Sequence, residues 1–137
     1  ARMVDMGGQD YLLASTILGV LAQRLVRIIC PDCKERQPVE NSFLEEIGFP
    51  MDDRTEVFQG QGCKACGQTG YQGRLGIFEL MLMNEDIRRL ILTNTEATKL
   101  RKTAVEGGMI SLRADGFEKV KQGLTTISEL LRVTQDL

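Results

Sequence analysis

The sequence predicts an α+β chain, mainly helical, with a long N-terminal helix, a four-cysteine subdomain with short strands, and a helical C-terminal subdomain. Three observations carry this prediction. Apolar residues recur at steps of four and three from Leu13 to Ile28. Two C-x-x-C pairs lie in turn-forming sequence between residues 30 and 66. Capped, helix-periodic patterns then run from Asn84 towards the C-terminus. The predicted divisions are residues 1–29, 30–82 and 83–137.

The first element opens at Asp10, which can cap a helix starting at Tyr11. Leu13, Ile17, Leu21, Leu25 and Ile28 then form an apolar stripe over about 18 residues. Pro31 ends it, because the residue before proline avoids the α region. Next, residues 30–38 form a proline-bracketed loop. Asn41 opens a short helix that Gly48-Phe49-Pro50 closes. Residues 56–59 read as a short strand. Six glycines between Gly60 and Gly76 mark tight turns around the second cysteine pair. Residues 74–82 read as a strand.

Four helices follow. Asn84 caps one that carries Ile87, Leu90 and Ile91. A second runs from about Glu96 through Ala104 to Gly107-Gly108. A third starts at Ser111, carries Leu112, Phe117 and Val120, and stops at Gly123. A fourth begins with Thr126-Ile127-Ser128-Glu129, a capping-box pattern. Gly107-Gly108-Met109 reads as a cap and turn rather than a hinge, and Met81 and Met83 as core filling.

Composition narrows the function. A chain of 137 residues is about one domain and needs no disulfide to fold. Hydrophobic content of 42% against 26% charged fits a globular protein rather than a disordered one. With no histidine, imidazole catalysis and histidine-containing metal sites are excluded. A net charge of −2 and a pI near 5.2 argue against a dedicated nucleic-acid binder. No secretory signal stands at the N-terminus, and the apolar stretch from Tyr11 to Ala22 is too short to span a bilayer. The expectation is a soluble, intracellular protein. The start at Ala1-Arg2-Met3 suggests a piece of something longer.

The cysteines read Cys30-Pro31-Asp32-Cys33, then 29 intervening residues, then Cys63-Lys64-Ala65-Cys66. Two thiolates three positions apart on a tight turn can face one ion about 2.3 Å away, and two such knuckles complete a tetrahedron. Cys30, Cys33, Cys63 and Cys66 are therefore the candidate ligands of a structural Zn²⁺. A site filled by four protein ligands leaves no position for water, so the metal is not catalytic. Lys34, Arg36, Lys64 and Arg74 are near in sequence and can offset the surplus thiolate charge. Gly67 frees the backbone to aim amides at sulfur. Three alternatives compete: two disulfides, a redox C-x-x-C and a rubredoxin-like iron site. The missing secretion signal and the doubling of the motif favour zinc.

At these residues the chain resembles the C-terminal part of the type II secretion and type IV pilus assembly ATPases. The stretches that carry the resemblance are Arg2 to Gly7, Leu21-Ala22-Gln23-Arg24-Leu25-Val26-Arg27 into Cys30-Pro31-Asp32-Cys33, and Gly70-Tyr71-Gln72-Gly73-Arg74-Leu75-Gly76-Ile77-Phe78-Glu79. Gly116 to Val120, Gly123 to Thr126 and Arg132-Val133-Thr134 complete it. Together they cover nearly the whole chain.

The resemblance implies a tetracysteine zinc subdomain inserted in a RecA-like hexameric motor and followed by helices. Its zinc ligands carry over to Cys30, Cys33, Cys63 and Cys66. It also implies contacts with other subunits and with inner-membrane platform proteins, a cytoplasmic location peripheral to that membrane, and no nucleic-acid partner. The chain departs from the family in lacking G-x-x-x-x-G-K-[ST], the acidic Mg²⁺-binding segments and the histidine-bearing segment. ATP and Mg²⁺ are then cofactors of the full-length protein only, and this chain is expected to be no enzyme, with no catalytic residue. The rival reading is a freestanding zinc-ribbon module that binds nucleic acid or protein.

Four further residues are candidates with open roles. Arg24 and Arg27 would share a helix face, either contacting nucleotide or a neighbouring subunit, or forming a solvated face or an ion pair to the helical part. Arg74 is expected to tie the cysteine loop together through carbonyls or thiolates. Glu79 is its possible ion partner or a hexamer contact.

Overall fold

Gly19–Ile29 forms a strand, β1, not the second half of a helix. The computed structural model describes residues 15–52, 55–93 and 96–135. The part of the expected helix at residues 11–14 lies outside them. The difference has a physical cause. Steps of four are even, so an apolar residue at every fourth position fits a strand of period two as well as a helix. The stripe residues Leu21 and Leu25 lie on the exposed face of β1, while Val26 is fully buried. Four β-branched residues, Val20, Val26, Ile28 and Ile29, add strand propensity.

Among the described residues, eight further elements follow: β2 (Lys34–Arg36), α1 (Asn41–Glu46), β3 (Phe58–Gly60), β4 (Tyr71–Leu82), α2 (Glu85–Leu92), α3 (Ala97–Glu106), α4 (Leu112–Lys121) and α5 (Ile127–Thr134). β1 pairs with β4, and β2 pairs antiparallel with β3 in the register Lys34–Gly60, Glu35–Gln59 and Arg36–Phe58. The short strands expected near the cysteines are β2 and β3. β4 begins three residues earlier than the expected start at Arg74.

The chain divides into two compact units that are not consecutive segments. One joins the chain up to Ala22 with Glu79–Ser111; the other joins Gln23–Phe78 with the chain from Leu112 onward.

In the first unit the Asn84 carboxamide oxygen accepts from the Ile87 amide at 2.9 Å, the cap expected for α2. Ile87 and Ala104 are buried there. Glu79 pairs with Arg101 at 3.4 Å. This ion pair is thus with α3 and not with Arg74.

The second unit holds the larger core. Val26 comes from β1 and Ile77 from β4, Leu44, Phe49 and Val57 from the segment between the cysteine pairs, and Leu112, Phe117, Val120, Ile127 and Leu130 from α4 and α5. Each such side chain contributes roughly 1.5–3 kcal/mol by burial. The Phe49 and Phe117 rings meet edge to face, with centroids 5.2 Å apart. Gly116 of α4 lets α5 approach closely: a Cβ there would lie 2.1 Å from Leu130 Cδ1.

Candidate metal centre

Each cysteine pair bridges two strands. Cys30 follows β1 and Cys33 precedes β2, while the second pair connects β3 to β4. Backbone bonds lock the bridges together. The Cys30 amide donates to the Gly70 carbonyl at 2.9 Å, and the Gln61 amide donates to the Cys33 carbonyl at 3.1 Å. The crossing is possible only with glycine. A Cβ on Gly60 would stand 2.0 Å from the Gly70 oxygen. Gly67 has φ 64°, as its place after the last cysteine suggested.

These bridges gather all four Sγ atoms within 4.8 Å of one another. Cys30 lies 3.8 Å from Cys63, Cys33 lies 3.8 Å from Cys66, and Cys63 lies 3.7 Å from Cys66. A tetrahedron of sulfurs about 2.3 Å from a central ion has edges of about 3.8 Å. The spacing fits that ion. It does not fit a disulfide, which needs about 2.05 Å, and all four cysteines are free.

The surroundings act unequally on the four sulfurs. Amides of Gly62 and Cys63 donate to Cys33 Sγ and Cys66 Sγ, each at 3.3 Å, and that of Gly70 donates to Cys66 Sγ at 3.1 Å. Burial raises the Cys30 thiol and pushes Cys33 up to about 12. At Cys66 burial acts in the same direction, but the amides of Cys63 and Gly70 outweigh it and bring the thiol down to about 6. Four sulfurs so arranged can hold a metal ion and leave it no open position.

Beside the cluster lies a polar network that the spacing of residues did not reveal. Glu129, on α5, is 2% exposed. Its carboxylate accepts from the Arg27 amide at 2.8 Å, from Arg27 Nη2 at 2.9 Å, and from Arg132 at 3.0 and 2.8 Å. Burial would raise its pKa, yet the bonds from Arg132 and Arg27 hold it down at about 2. The Arg27 guanidinium lies 4.2 Å above the Tyr71 ring, whose hydroxyl meets Thr126 Oγ1 at 2.8 Å. Tyr71 directly follows Gly70, so the network adjoins the cysteine bridges.

Arg24 and Arg27 therefore share no helix face. They lie on a strand, three residues apart, and both reach α5: Arg24 donates to the Val133 carbonyl and Arg27 pairs with Glu129. The Arg74 side chain is exposed and makes no bond to a carbonyl or thiolate among the described residues. Thr126 caps α5 by accepting from the Glu129 amide at 3.1 Å. The capping box is only half formed, because the Glu129 carboxylate goes to arginines. Glutamate three residues after a threonine cap was the one local signal for it.

Residues 1–132 match the family model described as type II/IV secretion system protein. The chain is 41% identical over 135 residues to type II secretion system protein E of Pseudomonas aeruginosa, covering 98% of this chain and 27% of that protein. It is 44% identical to type II secretion system protein HxcR of the same organism, covering 98% of this chain and 25% of the relative. It is 36% identical to the type IV pilus assembly ATPase PilB of Thermus thermophilus, covering 97% of this chain and 15% of the relative. The chain thus spans about a quarter or less of the length of these curated relatives. With four cysteines placed to hold a metal ion and a match across nearly its full length, the chain belongs to the type II/IV secretion system protein family.

Proposed function

We propose that this chain is the zinc-binding and helical portion of a hexameric ATPase that powers type II protein secretion or type IV pilus assembly. In this reading residues 1–29 end a RecA-like motor segment, 30–82 form the tetracysteine subdomain and 83–137 the C-terminal helical subdomain. Cys30, Cys33, Cys63 and Cys66 hold one structural Zn²⁺. The ion supplies no reaction chemistry; it fixes the two bridges and, through Gly70 and Tyr71, the strand end that α5 packs on. ATP and Mg²⁺ belong to the full-length protein. The absence of a phosphate-cradling loop from the sequence supports a chain without ATPase activity. Its task is contact with other motor subunits and with inner-membrane platform proteins, on the cytoplasmic side. No helix among the described residues is long and apolar enough to cross a membrane, which suits attachment through partners.

The observation that carries the metal reading is the 3.7–3.8 Å spacing of the sulfurs. Elemental analysis with a free-thiol count tests it. The expected result is one zinc per chain, with four thiols reactive only after denaturation in chelator. Iron instead of zinc, or thiols absent without reductant, contradicts it. An ATPase assay on this chain tests the second part, and turnover comparable to a complete motor overturns it.

A further inference from the structure

A groove runs along the second unit between α5 and the segment 37–43, which leads from β2 into α1. It is lined mainly by Pro38, Val39 and Phe43 on one side and by Ile127 and Leu131 on the other, and encloses about 390 Å³. This is the lower end of the range of small binding sites. Phe43 stands at its rim 39% exposed, while Ile127 in its floor is buried. Apolar side chains thus form a slot sized for one or two side chains of a partner.

The charge around the slot is one-sided. Between Cys33 and Cys63 there are seven acidic residues and three basic ones; the rest of the chain has twelve acidic and fourteen basic. Glu40 lines the groove, and Glu46 lies one helical turn beyond Phe43. Both are exposed, and neither carboxylate makes a hydrogen bond or ion pair among the described residues. An acidic rim repels phosphate, which disfavours nucleic acid and anionic lipid. Along residues 37–40 the Gln37 amide already donates to the Val57 carbonyl at 2.8 Å, Pro38 has no amide, and the Glu40 carbonyl accepts from Phe43 and Leu44, so an extended peptide gains little main-chain ladder there.

We propose that this groove docks a basic amphipathic helix of a protein partner, seating apolar side chains between Phe43 and Leu131 with Lys or Arg residues against Glu40 and Glu46. The proposal rests on reading the metal-centred subdomain as a docking element, and names the chemistry it selects.

The probe is a labelled helical peptide of about 18 residues, five turns, with leucines at i, i+3, i+4 and i+7 flanked by lysines. A second peptide carries glutamate in place of lysine. Fluorescence anisotropy with the zinc-loaded chain is expected to show binding of the basic peptide, weakened about tenfold or more by Phe43→Ser and by Glu40→Lys/Glu46→Lys. Binding should also weaken as salt rises from about 0.05 to about 0.5 M. Phe43 is half exposed, so its variant should fold; equal zinc content and equal circular dichroism verify this and separate a failure of docking from a failure of the metal centre. Equal affinity for the acidic peptide, or insensitivity to both variants, overturns the proposal. So does a sedimentation result in which the chain dimerises through the groove and Phe43→Ser dissociates the dimer.

Discussion

Glu129 on α5 holds Arg27 on β1 at two points, accepting from its backbone amide at 2.8 Å and from its guanidinium at 2.9 Å. One buried carboxylate therefore ties the final helix to the strand that delivers Cys30. Arg132 neutralises it further from the same helix, at 2.8 Å. The glutamate is 2% exposed and Arg27 is 47% exposed at the side chain, so the pair is anchored at the carboxylate and open at the guanidinium.

Glu129→Gln keeps the shape and removes the charge. The Arg27 amide would keep an acceptor, but three guanidinium bonds, one from Arg27 and two from Arg132, lose their ionic partner. Because Arg27 can turn to water, the loss should fall below that of a fully buried pair, at roughly 2–3 kcal/mol. Urea unfolding of the zinc-loaded chain measures it. A change under about 0.5 kcal/mol contradicts the role assigned to this pair.

The same residue sets an acid dependence. Its folded pKa, about 2, lies below the ordinary 4.5, so its stabilisation is fully present above pH 4.5 and is lost as pH falls towards 2. The full amount is on the order of 3 kcal/mol. Thiolates also take up protons in acid, so the readout is the difference between wild type and Glu129→Gln. That difference should shrink steadily from about pH 5 to pH 2, whereas a constant difference contradicts the assignment.

The helical elements after Asn84 were legible because caps and glycine stops are local signals. Asn84 bonds to a residue three positions on, and the sequence displays that. The four-cysteine cluster was legible for the same reason: each knuckle is a four-residue motif. What failed was non-local. Whether Leu21 and Leu25 lie on a helix or a strand depends on β4, about fifty residues away, and a step of four does not distinguish the two. Glu129 looked like a capping residue because its long-range partner lies 102 positions earlier.

Gly116→Ala tests the close packing of α4 on α5. The added methyl would lie 2.1 Å from Leu130 Cδ1, and Leu130 is fully buried. Overpacking should cost about 1–3 kcal/mol. Combining it with Leu130→Ala makes room for the methyl, so thermal unfolding of the double variant should show less than the sum of the two losses. Strict additivity contradicts direct contact.

Gly60→Ala places a Cβ 2.0 Å from the Gly70 oxygen, where backbone meets backbone. The two cysteine bridges would be forced apart. Zinc affinity, measured by competition with a chromogenic chelator, should fall by at least about tenfold, in the range of a lost supporting interaction. Unchanged affinity contradicts the crossing as a determinant of the site.

Metal removal should reach beyond the sulfurs. Zinc binding in small sites is worth about 10–16 kcal/mol, comparable to the stability of a whole domain. Chelation is expected to abolish amide-exchange protection across residues 30–76, with α5 loosening through Tyr71 and Arg27. Unchanged protection in that segment refutes a structural metal.

Enclosure of one zinc ion by four thiolates, as proposed, has a direct physical signature. X-ray absorption at the zinc edge of the purified chain tests it most directly. Four sulfur neighbours at about 2.3 Å are expected, with no nitrogen or oxygen in the shell. A mixed shell, a vacant position filled by water, or no zinc signal in freshly prepared, fully reduced protein would contradict it.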